Sequence, residues 1–320
     1  MKLLSRSAVA LGAAVTVLAG TASPAAAIVG GQEATHRYNG MLHLTVDYPS
    51  IGRTLHCGAG LYDAWHVAVN AHCVLDNLAI PDPVAVEPSR IMVRAGTNDR
   101  TSAGQTARGT RSKIHRNFRW VDPNTGKPVA DIALVTLDQP IHAPTMQLPP
   151  AAASKPGTSL RAIGWGLTEY PPPADNPDPL PTMLRQRDIT QLPAASCDTE
   201  VGVMSKGDLC VSTGPCFGDS GSPVLTRAPG RTVGANRRWV WQGLVSRETD
   251  SADPCGKPII ATSLAYYRTW LAKAAACTPK GVTTAAAACT PERTTGGKQT
   301  PDQRRLVRAK LPFLSQLTDS

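Results

Sequence analysis

Short apolar segments divided by turn-forming residues govern what this 320-residue chain can fold into. Residues 41–48, 54–61, 65–70 and 90–96 are brief, rich in β-branched or apolar side chains, and separated by turn formers. The pattern resumes at 131–138 and 159–166, and strands are expected again at 183–191, 208–213, 222–226 and 238–246. Such segments build an all-β barrel or sandwich rather than β-α-β units. One helix is expected over 263–275, where Leu264, Tyr267, Trp270, Leu271 and Ala274 fall near one face. Aromatic residues make up only 5% of the chain, so Ala and Val are expected to fill much of the interior.

Three stretches read as loops. Residues 76–89 hold three prolines, and 119–130 contain Pro123, Gly126 and Pro128 just ahead of Asp131. Residues 170–181 carry six prolines in twelve positions and must be extended or irregular. That segment reads as a stiff surface loop; a docking motif for a proline-recognising module is the alternative.

The two ends differ from the body. Lys2 and Arg6 precede an apolar run from Ala8 to Leu18, and Ala25-Ala26-Ala27 offers an A-x-A cleavage site. This is the pattern of a secretory signal peptide over 1–27, with an uncleaved anchor as the competing reading. No later stretch is apolar enough to span a bilayer, so the mature chain is expected to be soluble and secreted. Residues 277–320 contain a near-repeat, Ala-Ala-Ala-Cys-Thr-Pro at 274–279 and 286–291, and are rich in Gly, Thr and Pro to about 302. They read as a low-complexity linker. The tail from Arg304 to Leu317 is either disordered or a short basic amphipathic helix that contacts an anionic surface. Of the net charge of +9, residues 1–27 supply +2 and residues 277–320 supply +4. The remaining +3 on 28–276 gives no reason to expect a nucleic-acid partner.

Eight cysteines in an exported chain suggest a disulfide framework whose connectivity counting alone leaves open. Zinc is the competing use, but neither a C-x-x-C pair nor H-E-x-x-H occurs, so no metal or other cofactor is expected.

The chemistry centres on Cys216-Phe217-Gly218-Asp219-Ser220-Gly221-Ser222-Pro223. A serine flanked by glycines can sit in a tight turn, with the N–H groups of Gly218 and Ser220 aimed at one point. Two such donors would stabilise the oxyanion formed when Ser220 attacks a carbonyl. A serine hydroxyl needs an adjacent base, and His72, in Val69-Asn70-Ala71-His72-Cys73, is the candidate. The carboxylate that would orient the imidazole is Asp131, which leads the apolar run to Leu137.

Five motifs together resemble the chymotrypsin/trypsin family of serine endopeptidases. They are Ile28-Val29-Gly30-Gly31, Ala71-His72-Cys73, Asp131-Ile132-Ala133-Leu134, Gly164-Trp165-Gly166 and Gly218-Asp219-Ser220-Gly221. The resemblance covers about 28–276 and implies two six-stranded antiparallel β-barrels, a terminal helix, and a secreted, bacterial-type, monomeric enzyme. It implies peptide or protein substrates, proteinaceous inhibitors as possible partners, and a catalytic triad of Ser220, His72 and Asp131. It pairs Cys57 with Cys73, Cys197 with Cys210, and Cys216 with Cys255, leaving Cys277 and Cys289 for each other. It also implies that an Ile28 freed by cleavage folds inward to pair with Asp219, and that Ser246 lines the site beside Asp131.

The resemblance weakens at the substrate pocket. Its base position is Gly214, where tryptic enzymes carry an acid. The wall is Ser246-Arg247-Glu248, where Trp then Gly commonly follow the serine, and Ile259 stands where open pockets have glycine. Ile259 is expected to fill volume, Glu248 to put a carboxylate near the mouth, and Arg247 to alter the surface on which substrate backbone lies. A restricted or unusual preference is expected, with a tryptic preference through Glu248 as the competitor. A catalytically weak relative serving as a binding module, or an esterase using the same acyl chemistry, are the alternative functions.

Overall fold

The computed structural model describes residues 28–48, 52–76, 84–119, 130–150, 154–176, 178–199, 202–228 and 239–277. The expected signal peptide, half of the 76–89 loop, most of the 119–130 loop, and the linker and tail after Cys277 lie outside these residues.

The first half of the chain supplies β1 (Gln32–Glu33), β2 (Met41–Tyr48), β3 (Arg53–Asp63), β4 (His66–Val69), β5 (Leu75–Asp76), β6 (Val84–Ala85), β7 (Ile91–Ala95), β8 (Gln105–Ile114) and β9 (Ala133–Leu137). The second supplies β10 (Ser159–Gly164), β11 (Arg185–Leu192), β12 (Asp208–Val211), β13 (Pro223–Arg227), β14 (Trp239–Glu248), β15 (Ile259–Ser263) and the helix α1 (Leu264–Ala276). Strands β2-β3-β4-β9-β8-β7 close into one barrel. Strands β10, β13, β14, β15, β12 and β11 close into a second through the β11–β12 pairing, and β1 is added to the free edge of β11. All pairings are antiparallel, so the architecture is the expected pair of six-stranded barrels with one terminal helix.

Each barrel has its own apolar centre. Leu42, Leu44, Val46, Leu61, Val93 and Val135 meet inside the first, and Leu160, Ile189, Val211, Val245 and Ile259 inside the second. Each such side chain, taken fully out of water, contributes about 1.5–3 kcal/mol before entropy is counted. A third cluster forms the seam. It joins Met41, Ala68 and Leu134 of the first barrel to Ile163, Leu225, Trp241 and Leu244 of the second. Leu264, Tyr267, Leu271 and Ala274 of α1 lie in the same cluster, as the helical spacing predicts. Trp241 is fully buried there, and its indole N–H donates to the carbonyl of Asn39 at 3.1 Å.

The proline-rich segment forms turns and bends with neither strand nor helix among its described residues. The buried Arg100 holds it down. Its Nε donates to the carbonyl of Pro181, and its Nη2 to the carbonyl of Leu180 and the carboxylate of Asp178.

Trp241→Ala would open a void at the seam and orphan an acceptor. The expected cost is about 3–5 kcal/mol, read as a lower urea midpoint at unchanged m-value.

Candidate active site

The β4–β9 ladder sets the geometry of the first half of the site. Val69 is opposite Ala133 in antiparallel register. The chain leaving β4 and the chain entering β9 therefore emerge at the same end, which puts residues 70–72 beside Asp131. His72 sits in a 3-10 turn, Ala71–Val74, directly after Asn70. The turn is braced by the Cys57–Cys73 disulfide and by Tyr48, whose hydroxyl donates to the carbonyls of Cys73 (2.9 Å) and His72 (3.2 Å).

Asp131 is 1% exposed, and four hydrogen bonds satisfy its carboxylate. Oδ1 accepts the backbone N–H of His72 at 3.0 Å. Oδ2 is 2.8 Å from His72 Nδ1 and accepts from Ser246 Oγ at 2.6 Å and from Asn70 Nδ2 at 3.0 Å. Burial alone would push this carboxyl up. The charge of His72 and the hydrogen bonds from His72 and Ser246 outweigh that and hold it down at about 2. The acid therefore stays ionised and holds Nδ1 of the imidazole, while Nε2 lies 3.7 Å from Cys73 Sγ.

Ser220 comes from the second barrel, in a turn closed by the Asp219 N–H to the Cys216 carbonyl (3.0 Å) and the Ser222 N–H to the Asp219 carbonyl (2.8 Å). Gly221 donates to the Val245 carbonyl at 2.8 Å, and Gly58 of the first barrel donates to the Ser220 carbonyl at 2.7 Å. That last bond ties the serine to the residue next to Cys57, and through the disulfide to the His72 turn. Neither Gly58 nor Gly221 has room for a side chain. A Cβ on Gly58 would strike Ser222, and one on Gly221, at φ +77°, would strike the Gly58 carbonyl. Gly218 has φ +90°. Among the described residues, neither the Gly218 nor the Ser220 N–H bonds to a backbone carbonyl. Leu180 of the proline-rich segment lies against Gly218, and Phe217 packs with Tyr170, ring centroids 5.4 Å apart.

Asp219 is fully buried. Oδ1 accepts from the Gly166 N–H (2.8 Å) and Oδ2 from the Cys216 N–H (2.9 Å). Burial dominates these bonds and pushes the carboxyl up to about 7. Ile28 is buried in the second barrel's core, the Val29 N–H donates to the Gly214 carbonyl at 2.8 Å, and Arg187 donates to the Val29 carbonyl. The segment that begins at Ile28 is thus seated inside the fold.

The expected pocket residues separate. Gly214 packs against Ile28, Ile189 and the stem of Arg187. Ser246 is in the Asp131 network. Ile259 lies in the apolar centre of the second barrel, opposite Glu248 on β14, and Glu248 is half-buried. The expectation for Arg247 needs correction. Its side chain does not lie on a substrate surface but is buried, with Nη2 on Asp208 Oδ2 at 2.6 Å. A guanidinium finds a carboxylate inside and turns in.

The Cys197–Cys210 and Cys216–Cys255 disulfides are present beside the Cys57–Cys73 bridge. Cys277 is disulfide-bonded, and Cys289, its expected partner, lies outside the described residues. Cys57, His72 and Cys73 place ligand atoms within 4.8 Å of one another. Both sulfurs are spent on each other, so this trio offers a metal little beyond one imidazole. Sequence reasoning missed Asn70 and Thr262. The Asn70 amide also donates to the Asp131 carbonyl (2.9 Å) and to Thr262 Oγ1 (3.2 Å), and Thr262 Oγ1 donates to the same carbonyl (3.1 Å). Asn70 adjoins the histidine motif, which was a usable signal; Thr262 had none.

Comparison with known proteins shows the family. The family model "Trypsin" matches residues 28–271, and the chain belongs to the trypsin family. Among similar proteins are Brachyurin of Leptuca pugilator (26% identical, covering 70% of this chain and 89% of that one) and a Trypsin-like protease of Streptomyces glaucescens (26%, 85% and 93%). Glucanase inhibitor protein 2 of Phytophthora sojae is 29% identical over 54% of this chain and 56% of its own. The relatives include an arthropod and a bacterium and single out no bacterial type.

The raised Asp219 carboxyl carries a sign. Its folded value lies above its ordinary value near 4, so its contribution to stability is full below about pH 4 and is lost as pH rises through about 7. In a chain with residues still attached before Ile28, urea unfolding is expected to show that decline. Asp219→Asn should remove it, and equal slopes in the two chains would refute the assignment.

Proposed function

We propose that this protein is a secreted serine endopeptidase that hydrolyses peptide bonds through an acyl-enzyme intermediate. The observation that carries the reading is the buried, ionised Asp131 on Nδ1 of His72, with Ser220 tied across the seam to the same turn. In the proposed mechanism Ser220 Oγ attacks the scissile carbonyl and His72 Nε2 takes its proton. His72 then returns a proton to the leaving amine, and water repeats the sequence to release the acyl group. Asp131 holds the imidazole tautomer and supports its charge. The N–H groups of Gly218 and Ser220 receive the oxyanion, in keeping with their lack of backbone-carbonyl partners among the described residues.

Cleavage after Ala27 would free Ile28. Its ammonium would then meet the buried Asp219, two charges that are each costly alone and acceptable as a pair. Signal peptidase would itself generate the active terminus, with no zymogen stage. N-terminal sequencing of secreted protein is expected to begin at Ile28; a start at Ala25 or earlier would require a separate activation step.

The specificity reading is a restricted pocket. Gly214 brings no acid to the base, and Ile259 belongs to the packed interior. Glu248 remains the source of any preference for a cationic side chain. Digestion of a proteome-derived peptide mixture is expected to show cleavage after small or otherwise unusual residues. Cleavage mainly after Lys or Arg would favour Glu248, and cleavage mainly after Phe or Tyr would contradict both.

The similarity to a protein named as a glucanase inhibitor keeps a second reading open, a binding module with little activity. A fluorophosphonate probe separates the two. The wild-type chain should take the label, and Ser220→Ala should lose it. Asp131→Asn should react roughly 10⁴-fold more slowly through loss of the correct tautomer. An unlabelled wild-type chain would favour the binding module, and comparison of amide with ester substrates then tests the esterase alternative.

A further inference from the structure

Behind Ser246 the hydrogen-bond chain runs on into a buried ion pair. Ser246 Oγ, which donates to Asp131 Oδ2 at 2.6 Å, accepts from Arg247 Nη1 at 3.3 Å. Arg247 Nη2 donates to Asp208 Oδ2 at 2.6 Å and to the Val203 carbonyl at 2.9 Å. The two side chains are 4% and 3% exposed. Asp208 Oδ2 also accepts the Ser205 backbone N–H at 2.8 Å and the Ser205 hydroxyl at 2.7 Å.

The backbone is shaped for this arrangement. Successive strand residues point to opposite faces. Between Val245 and Arg247 the register of β14 against β15 slips, so that Val245 faces Ala261 and Arg247 faces Ile260. An irregularity of this kind re-aims side chains, and here adjacent residues both reach one buried polar cluster.

A serine hydroxyl has one hydrogen and can turn it to any acceptor, whereas a guanidinium only donates. Arg247 therefore obliges Ser246 to accept on one side, and the single hydroxyl hydrogen is left for Asp131. Asp208 offsets the guanidinium charge close to the site. We propose that the buried Arg247–Asp208 pair is a positioning device for the acid of the triad, acting through the Ser246 hydroxyl. The proposal rests on the triad reading above, and neither residue touches substrate.

Other charged or titratable groups face the same region. Asp76 lies near Tyr48, whose hydroxyl bonds the His72 carbonyl. Tyr267 of α1 lies within reach of Asp131, Asp208 and Arg247. Glu248 follows Arg247 on β14. None of these changes in the variants below.

The test is the rate of fluorophosphonate inactivation against pH in the full-length secreted chain, which needs no knowledge of the natural substrate. Its acid limb reports protonation of His72. Asp208→Asn strands a guanidinium that cannot lose its proton. Imidazolium is then disfavoured, and the acid limb is expected to move down by roughly one pH unit at the effective dielectric of a protein site. Arg247→Met with Asp208→Leu replaces the pair by apolar side chains, an exchange that folded proteins often accept. There the acid limb should stay near its original place, because the net charge is unchanged. The maximal inactivation rate should fall about three- to ten-fold at constant probe affinity, because Ser246 is free to turn. A folded Asp208→Asn chain with an unmoved acid limb overturns the proposal. If that variant does not fold, the double variant decides alone, and a wild-type maximal rate in it overturns the proposal. An unlabelled wild-type chain refutes the triad reading and the proposal together, whereas a labelled wild type with unmoved variants refutes only the proposal.

Discussion

A carboxylate sealed from water at the end of the β4–β9 ladder is the constraint around which this molecule is arranged. An isolated buried charge of that kind is costly, and Asp131 is kept ionised by donors drawn from distant parts of the chain. His72 and Asn70 approach from the first barrel and Ser246 from the second. The acid thus needs both barrels in place before its charge is supported.

The barrels divide the labour. The first holds the imidazole and its acid on adjacent strand ends, so their separation follows from one ladder. The second holds Ser220 in a turn braced by the Cys216–Cys255 bridge and by the Asp219 carboxylate beneath it. What joins the halves is an apolar seam crossed by hydrogen bonds, among them the Gly58 N–H to the Ser220 carbonyl and the Ser246 hydroxyl to Asp131. The chain belongs to the trypsin family, and the function proposed above rests on this geometry.

Most strands were legible because their apolar, β-branched residues stand out between turn formers. Strand β8 was not, because Gln105–Ile114 is largely polar and half-exposed, and pairs by backbone rather than by hydrophobic pattern. Strand β15 was masked by reading Ile259 as a pocket wall, when its run of five buried residues is a core strand. The relation of His72 to Asp131 was visible in motifs, because each motif carries local signals of its own. The inward turn of Arg247 was not, since Asp208 lies 39 positions earlier with no pattern linking the two. A long side chain chooses its direction by three-dimensional partners, and sequence spacing is silent about these.

The mutual crowding at Gly58, Gly221 and Ser222 bears on how such a chain can diverge or be recombined. Because the Gly221 backbone abuts the Gly58 carbonyl and Ser222 packs against Gly58, those positions form one steric unit split between the halves. A hybrid that took its N-terminal barrel from one relative and its C-terminal barrel from another would inherit a workable hinge surface only if both parents kept this joint bare. A single added methyl on either side would wedge the halves apart at the Ser220 turn.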